Sequence, residues 1–219
     1  MQNRINYEDL ILHLYLVDKI ENRRGNLFVA KMIYLFEEDL FKKRMIGPSY
    51  LMYKDNYGPY NTAIKEDLMA LGRNYYLEIS PLYFRDYDEV FDLYKNNNNT
   101  SQFLKDIDDL IQEHSAIFTI FDTIINEFGG YSAKGLKNYV YSLEATGLKN
   151  IKIQDYNYKD IILNPYLIKY PVERFYLDED WYDTIEILLD PKMQKQLKKS
   201  LSDLLFSRPD RSHMSYPDQ

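Results

Sequence analysis

Phe103, Ile107, Leu110, Ile111, His114, Phe118, Phe121, Ile124 and Phe128 keep three- and four-residue helical spacing, with Leu110 and Ile111 adjacent on the same face. A strand repeats every two residues, so a stripe of this length commits the middle of the chain to helix. It reads as one long helix or as two with a break near Ser115, and Gly129-Gly130 ends it. Ser132 then caps a further helix carrying Leu136, Tyr139, Val140 and Leu143, with Gly147 placed to stop it.

The N-terminal part repeats the pattern in shorter pieces. Tyr7, Leu10, Leu14, Val17 and Ile20 share one helical face, and after Gly25 so do Val29, Met32, Ile33, Phe36 and Leu40. Lys42, Lys43 and Arg44 place positive charge where a helix C-terminus favours it. Gly47-Pro48 breaks the pattern, Tyr50 to Tyr53 is a short strand, and Asp55 and Asn56 form a turn. Pro59 opens a third helix with Ile64, Leu68 and Leu71 as its stripe and Gly72 at its end. Tyr75 to Ile79 alternates like a strand, and Pro81 interrupts it before Leu82, Tyr83 and Phe84. Helix, helix, strand, helix, strand is the outline of a winged-helix-like unit over residues 1–95.

The tract Asn96 to Asn99 reads as a low-complexity linker, the first internal boundary. Residues 96–149 continue the same helical core. Residues 150–219 form a divergent C-terminal region, irregular to about Arg174 because of Pro165 and Pro171, with two helices after it. Asp178 caps the first, through Trp181, Ile185 and Leu188; Asp190-Pro191 opens the second, whose strip is Met193, Leu197, Leu201, Leu204 and Leu205. The tail SRPDRSHMSYPDQ has two prolines and little apolar surface, the composition of a mobile terminus. The expected fold class is mainly α with a small β component.

Composition narrows the chemistry. The chain has no cysteine, which removes disulfides, thiolate nucleophiles and cysteine-ligated metals and points to a reducing compartment. Its start lacks a basic segment before an apolar run and is broken by Glu8, Asp9, His13 and Asp18, so neither a signal peptide nor a membrane span is expected, and the location expected is cytoplasmic. The net charge of -7 opposes general attraction to nucleic-acid phosphates. Tyrosine makes up 22 of 219 residues; AT-rich coding accounts for such an excess, and interfaces favour the same residue.

No catalytic constellation is legible. The carboxylates Asp106, Asp109 and Glu113 share a helix face that reads as solvated, beside Lys105. His13, His114 and His213 are too scattered for a metal triad or a relay, and His114, the one on an apolar stripe, reads as a packed core residue. Gly129-Gly130 lacks the Lys-Ser/Thr end of a phosphate loop. No cofactor, metal or enzymatic activity is expected. A DNA-reading helix would be the one from Asn61 to Gly72, where Lys65 and Arg73 are offset by Glu66 and Asp67.

One segment carries a family resemblance. FVAKMIYLFEEDLFKKR followed by YLMYKDNYGPYNTAIKEDLMAL resembles the signature of the SocA-like or Panacea antitoxin domains and the related YwgA-like proteins. The residues that carry it are Lys31, Ile33, Tyr34 and Leu35, then Tyr57, Gly58, Pro59 and Tyr60, completed by Leu68 and Leu71. The resemblance spans residues 5 to 85 and fades after Gly147; where members often have an L-T-H-like motif, this chain has Ser142, Leu143 and Glu144. It implies a non-catalytic protein that neutralises a cognate toxin by direct binding; a second copy of the chain is a separate candidate partner, which the resemblance does not imply. A winged-helix transcriptional regulator is the alternative. The candidate protein-binding residues are Tyr57 and Tyr60 at the stiff turn, Leu197 and Leu201 on the last helix, and Arg211, His213 and Tyr216 in the tail.

Overall fold

The computed structural model describes residues 6–20, 24–48, 50–84, 89–145 and 151–206. The fold is mainly α with a small β component. Helix α1 (Tyr7–Lys19) leads through β1 (Arg24–Gly25) into α2 (Asn26–Lys42), which runs through the middle of the molecule. Around α2 lie α3 (Thr62–Arg73), α6 (Ser115–Phe128) and α7 (Ala133–Ser142).

This position corrects a one-faced reading of the first two helices. From Asp9 to Val17, and from Phe28 to Glu38, every residue is buried, the polar Asp9, His13, Lys31, Glu37 and Glu38 among them. A helix surrounded on all sides buries its whole circumference, and those polar residues disguised it as amphipathic. At the centre the rings of Phe36 and Phe121 stack at 3.9 Å, and Tyr15 packs against both Phe121 and Phe118.

Three small sheets close the ends of this core. Strands β5 (Leu77–Phe84) and β6 (Glu89–Asn96) form an antiparallel hairpin, with β1 added to give the order β1-β6-β5. Pro81 therefore does not interrupt β5: it pairs with Asp92 on an edge strand, where its missing N–H costs no ladder hydrogen bond. Strands β3 (Met52–Asp55) and β4 (Gly58–Tyr60) form a second hairpin, extended by β7 (Ile161–Leu163) in the order β4-β3-β7. Two residues of β2 (Met45–Ile46) pair in parallel with β8 (Glu173–Arg174).

The asparagine tract is no linker. Asn96 closes β6 and donates to Asp18 at 3.0 Å, Asn97 caps α4 (Asn98–Asp106), and Asn97 and Asn99 both donate to the Tyr75 carbonyl. Short amides that bond backbone groups locally suit a strand-to-helix corner, whatever the low complexity suggests. The long stripe breaks twice, at Ile107 and His114, so that α4 is followed by α5 (Asp108–Glu113) and then α6. Gly72 lies inside α3 and not after it: a Cβ there would sit 2.1 Å from Ile79 Cδ1, so glycine lets β5 cross the helix.

The C-terminal region folds back over this core in short pieces, with single turns of 3₁₀ helix at Ile153–Asp155 and Pro165–Leu167. Phe175 and then Ile185 and Leu189 of α8 (Glu179–Leu189) are buried, and Tyr182 meets Tyr7 edge to face at 5.0 Å. Asp178 caps α8 at Trp181, and Asp190 caps α9 (Pro191–Phe206) at Lys192.

Candidate functional site

The β3–β4 turn brings the two halves of the family-like segment together. Gly58 adopts φ +107°, which a side chain rarely tolerates, and a Cβ there would meet Tyr141 Cε1 at 3.0 Å and Lys31 Cε at 3.7 Å. Glycine is thus what lets the turn lie against α2 and α7. Tyr60 folds inward against the core with its hydroxyl 3.4 Å from Asn26 Nδ2, whereas Tyr57 is 41% exposed. Of the two alternatives for this pair, Tyr60 is packed and Tyr57 presented.

Lysines gather around the same turn. Lys137 Nζ lies 5.4 Å from the Tyr57 ring centre and 5.1 Å from that of Tyr141, and Lys54 Nζ lies 4.8 Å from Tyr141. Such contacts are attractive because the ring face is electron-rich. Lys31 is buried beneath the turn and donates to the Leu27 carbonyl at 3.1 Å. Burial, and then repulsion from Lys137, push its ammonium down to about 8, against the opposing attraction of Asp55.

A second polar group lies wholly inside. Glu37 accepts from the Tyr50 N–H at 2.9 Å through Oε1, while its Oε2 is buried without a hydrogen-bond partner. Tyr50 donates its hydroxyl to Asp67, and His13 donates from Nδ1 to the Asp9 carbonyl at 2.6 Å with its Nε2 unpartnered. Desolvation holds the Glu37 carboxyl well above the usual range, with the nearby Asp9 adding to the effect, and it holds the His13 imidazole below its usual value. Neither group offers an open face to a substrate.

This sets a pH dependence with a definite sign. Folded Glu37 keeps its proton above the unfolded carboxylate value of 4.5, so from there up to its folded value the native state binds more protons and stability falls as pH rises. Glu37→Gln keeps the acceptor for Tyr50 and never ionises. The melting temperature of this variant relative to the parent is therefore expected to increase with pH from about pH 5 until the folded carboxyl ionises, by about 2–4 °C for each kcal/mol of linkage removed. His13, whose folded value is lowered, acts in the opposite direction in both proteins and cancels in the difference. A difference that is flat with pH, in paired thermal melts, would refute the assignment.

The other candidates fall elsewhere. His114 is buried edge-on between Phe175 and Tyr176, a packed core residue as its stripe suggests. Asp106 accepts from Gln102 one turn earlier, and among the described residues no group of three His, Asp or Glu side chains is placed to hold a metal. No helix among them is long and apolar enough to cross a membrane. Leu197 and Leu201 on α9 are 50% and 51% exposed. Leu197 lines a cleft of about 430 Å³ with Tyr75, Tyr76, Phe103 and Leu188, which shares no residue with the cleft lined by Tyr57 and Tyr60. Arg211, His213 and Tyr216 lie outside the described residues.

Sequence reasoning missed a group of exposed side chains between β7 and α8. Tyr166, Leu167, Tyr170, Val172 and Tyr176 are all exposed, Tyr170 to 78%. The signal was present as Tyr166, Leu167, Ile168, Tyr170 and Val172 around Pro165 and Pro171, a density that ordinary loops lack. No protein-family model, no curated protein and no solved structure matches the chain.

Proposed function

We propose that the chain is a non-catalytic binding protein of the SocA-like antitoxin kind, which neutralises a cognate toxin protein by direct contact through its C-terminal region. The observation that carries this reading is the distribution of exposed apolar surface. Of the large apolar side chains exposed among the described residues, most lie after residue 150, and half lie in the 166–176 segment or along α9. Met193, Leu197 and Leu201, exposed one turn apart on a capped helix, together with a tyrosine-rich loop, have the composition of a recognition surface.

A winged-helix DNA reader is the second reading, and one observation favours it. α1, β1, α2, then α3 and the β5-β6 hairpin, with β1 on the hairpin in the order β1-β6-β5, resemble that motif, although β2, β3 and β4 intervene between α2 and α3. Its recognition helix would be α3, where Lys65 is already paired with Asp92 at 3.2 Å and Glu66 is exposed. That face supplies few free cations for phosphate contacts, which weighs toward the protein partner.

Mixing the purified chain with the product of the adjacent reading frame should give a stoichiometric complex on size exclusion with light scattering and relieve the toxin's effect on growth. A chain that only self-associates, or that binds its own promoter selectively at physiological salt, would overturn the reading. Deleting residues 207–219 is expected to leave the melting temperature nearly unchanged, because the segment has little apolar area to lose, while weakening neutralisation. If the truncated chain neutralises as well as the full one, the tail is only a terminus.

A further inference from the structure

The surroundings of Tyr141 concentrate positive charge in a protein whose net charge is -7. Lys54 and Lys137 approach its ring from β3 and α7, at 4.8 and 5.1 Å from the centre, and Lys31 lies beneath the same turn. Among the described residues none of the three forms an ion pair. Their hydrogen bonds go to neutral carbonyls, Lys31 to Leu27 and Lys54 to Asp55. The Asp55 carboxylate attracts Lys31 and Lys54, while Lys137 repels both, so one acid faces three ammoniums.

Like charges held this close in a partly desolvated corner are stabilised by any anion that comes between them. We propose that the Lys31, Lys54, Lys137, Tyr57 and Tyr141 cradle binds the carboxylates of an acidic peptide segment. Lys54 and Lys137 would meet the carboxylates at the surface, Lys31 would supply charge from below, and the exposed edge of Tyr57 would cover the peptide's methylenes. A nucleobase is the poorer fit, because the Tyr141 ring already carries two ammonium groups and the Tyr57 ring one, which compete with stacking there. Ammoniums contributed by separate elements match acids spaced along an extended chain better than they match a single compact phosphate.

The proposal does not rest on the toxin reading, and its test uses the chain alone. Fluorescein-labelled hexaglutamate, followed by fluorescence anisotropy, should bind at low salt and weaken as salt rises, and unlabelled hexaglutamine should not compete. Lys54→Gln and Lys137→Gln together should weaken binding by about tenfold, since each removes one interfacial charge, while Lys105→Gln on α4 should leave it unchanged. Both lysines are half-buried, and unchanged melting curves would confirm folding. Equal binding by the double variant overturns the proposal, as does displacement by hexaglutamine. Tighter binding of oligothymidylate would reassign the cradle to nucleic acid, and competition by inorganic phosphate at the same concentration as hexaglutamate would make it a general anion site.

Discussion

Leu197→Glu with Leu201→Glu is expected to weaken binding of the cognate toxin by at least about a hundredfold while leaving the melting temperature where it is. Half of each leucine is still open to water, so each has about 1 kcal/mol of burial left to gain on docking. Replacing that gain by two carboxylates adds a desolvation cost, and about 2.7 kcal/mol is already a hundredfold in affinity. The surrounding charge sharpens the effect, because Lys192, Lys195, Lys198 and Lys199 against Asp203 make α9 basic in an acidic protein. Its partner groove is then expected to be apolar with an acidic rim. The seam is one residue wide per turn, which suits a groove on a protein better than immersion in a lipid surface. Calorimetric titration of toxin into the double variant measures this. Unchanged affinity would move the recognition surface off α9, and a large fall in melting temperature would mean that the seam belongs to the core.

Phe121→Ala is expected to have the largest effect on stability, about 3–5 kcal/mol. The side chain is fully buried and lies between Phe36, stacked at 3.9 Å, and Tyr15 at 5.9 Å, so its removal empties the contact between α2, α6 and α1. With the rigid rings of Phe36 and Tyr15 beside the void and helices on each side, collapse into the cavity is limited. Urea unfolding should show a lower midpoint with the slope unchanged, and the melting temperature should fall by about 2–4 °C per kcal/mol. Phe121→Leu should recover much of the loss. A cost under about 1 kcal/mol would show that the core is organised elsewhere.

Much of the α-helical framework was legible from spacing and punctuation. The stripes of α3, α6 and α7, the glycine pair after Phe128, and the caps Ser132, Asp178 and Asp190 stand where the residues place them. Each of these rests on interactions within about four residues, which is the range over which a sequence reports directly. The errors share one cause. Asn96 to Asn99, read as a linker, is a corner because Asp18 and the Tyr75 carbonyl supply its partners from far along the chain. Pro81 sits inside a strand because β5 happens to be the edge of its sheet.

The candidate surfaces divide in the same way. That Leu197 and Leu201 form a strip follows from helical spacing alone, and so does the stiffness of the turn at Gly58-Pro59. Whether the strip meets a core or water, and whether Tyr57 or Tyr60 faces outward, depends on what packs against them. No local pattern encodes that, because burial is a property of the assembled neighbours and not of the residue. The convergence of Lys54 and Lys137 on the Tyr141 ring, with Lys31 beneath the same turn, is the clearest instance. Residues 31, 54 and 137 belong to three elements that only the packing of α2, β3 and α7 brings together. The chain by itself determined most of the helical segments and the capped ends at Ser132, Asp178 and Asp190, through backbone hydrogen bonding and apolar periodicity. Only the tertiary structure decided which of their faces meet each other, since that depends on the shape and charge of partners distant in sequence.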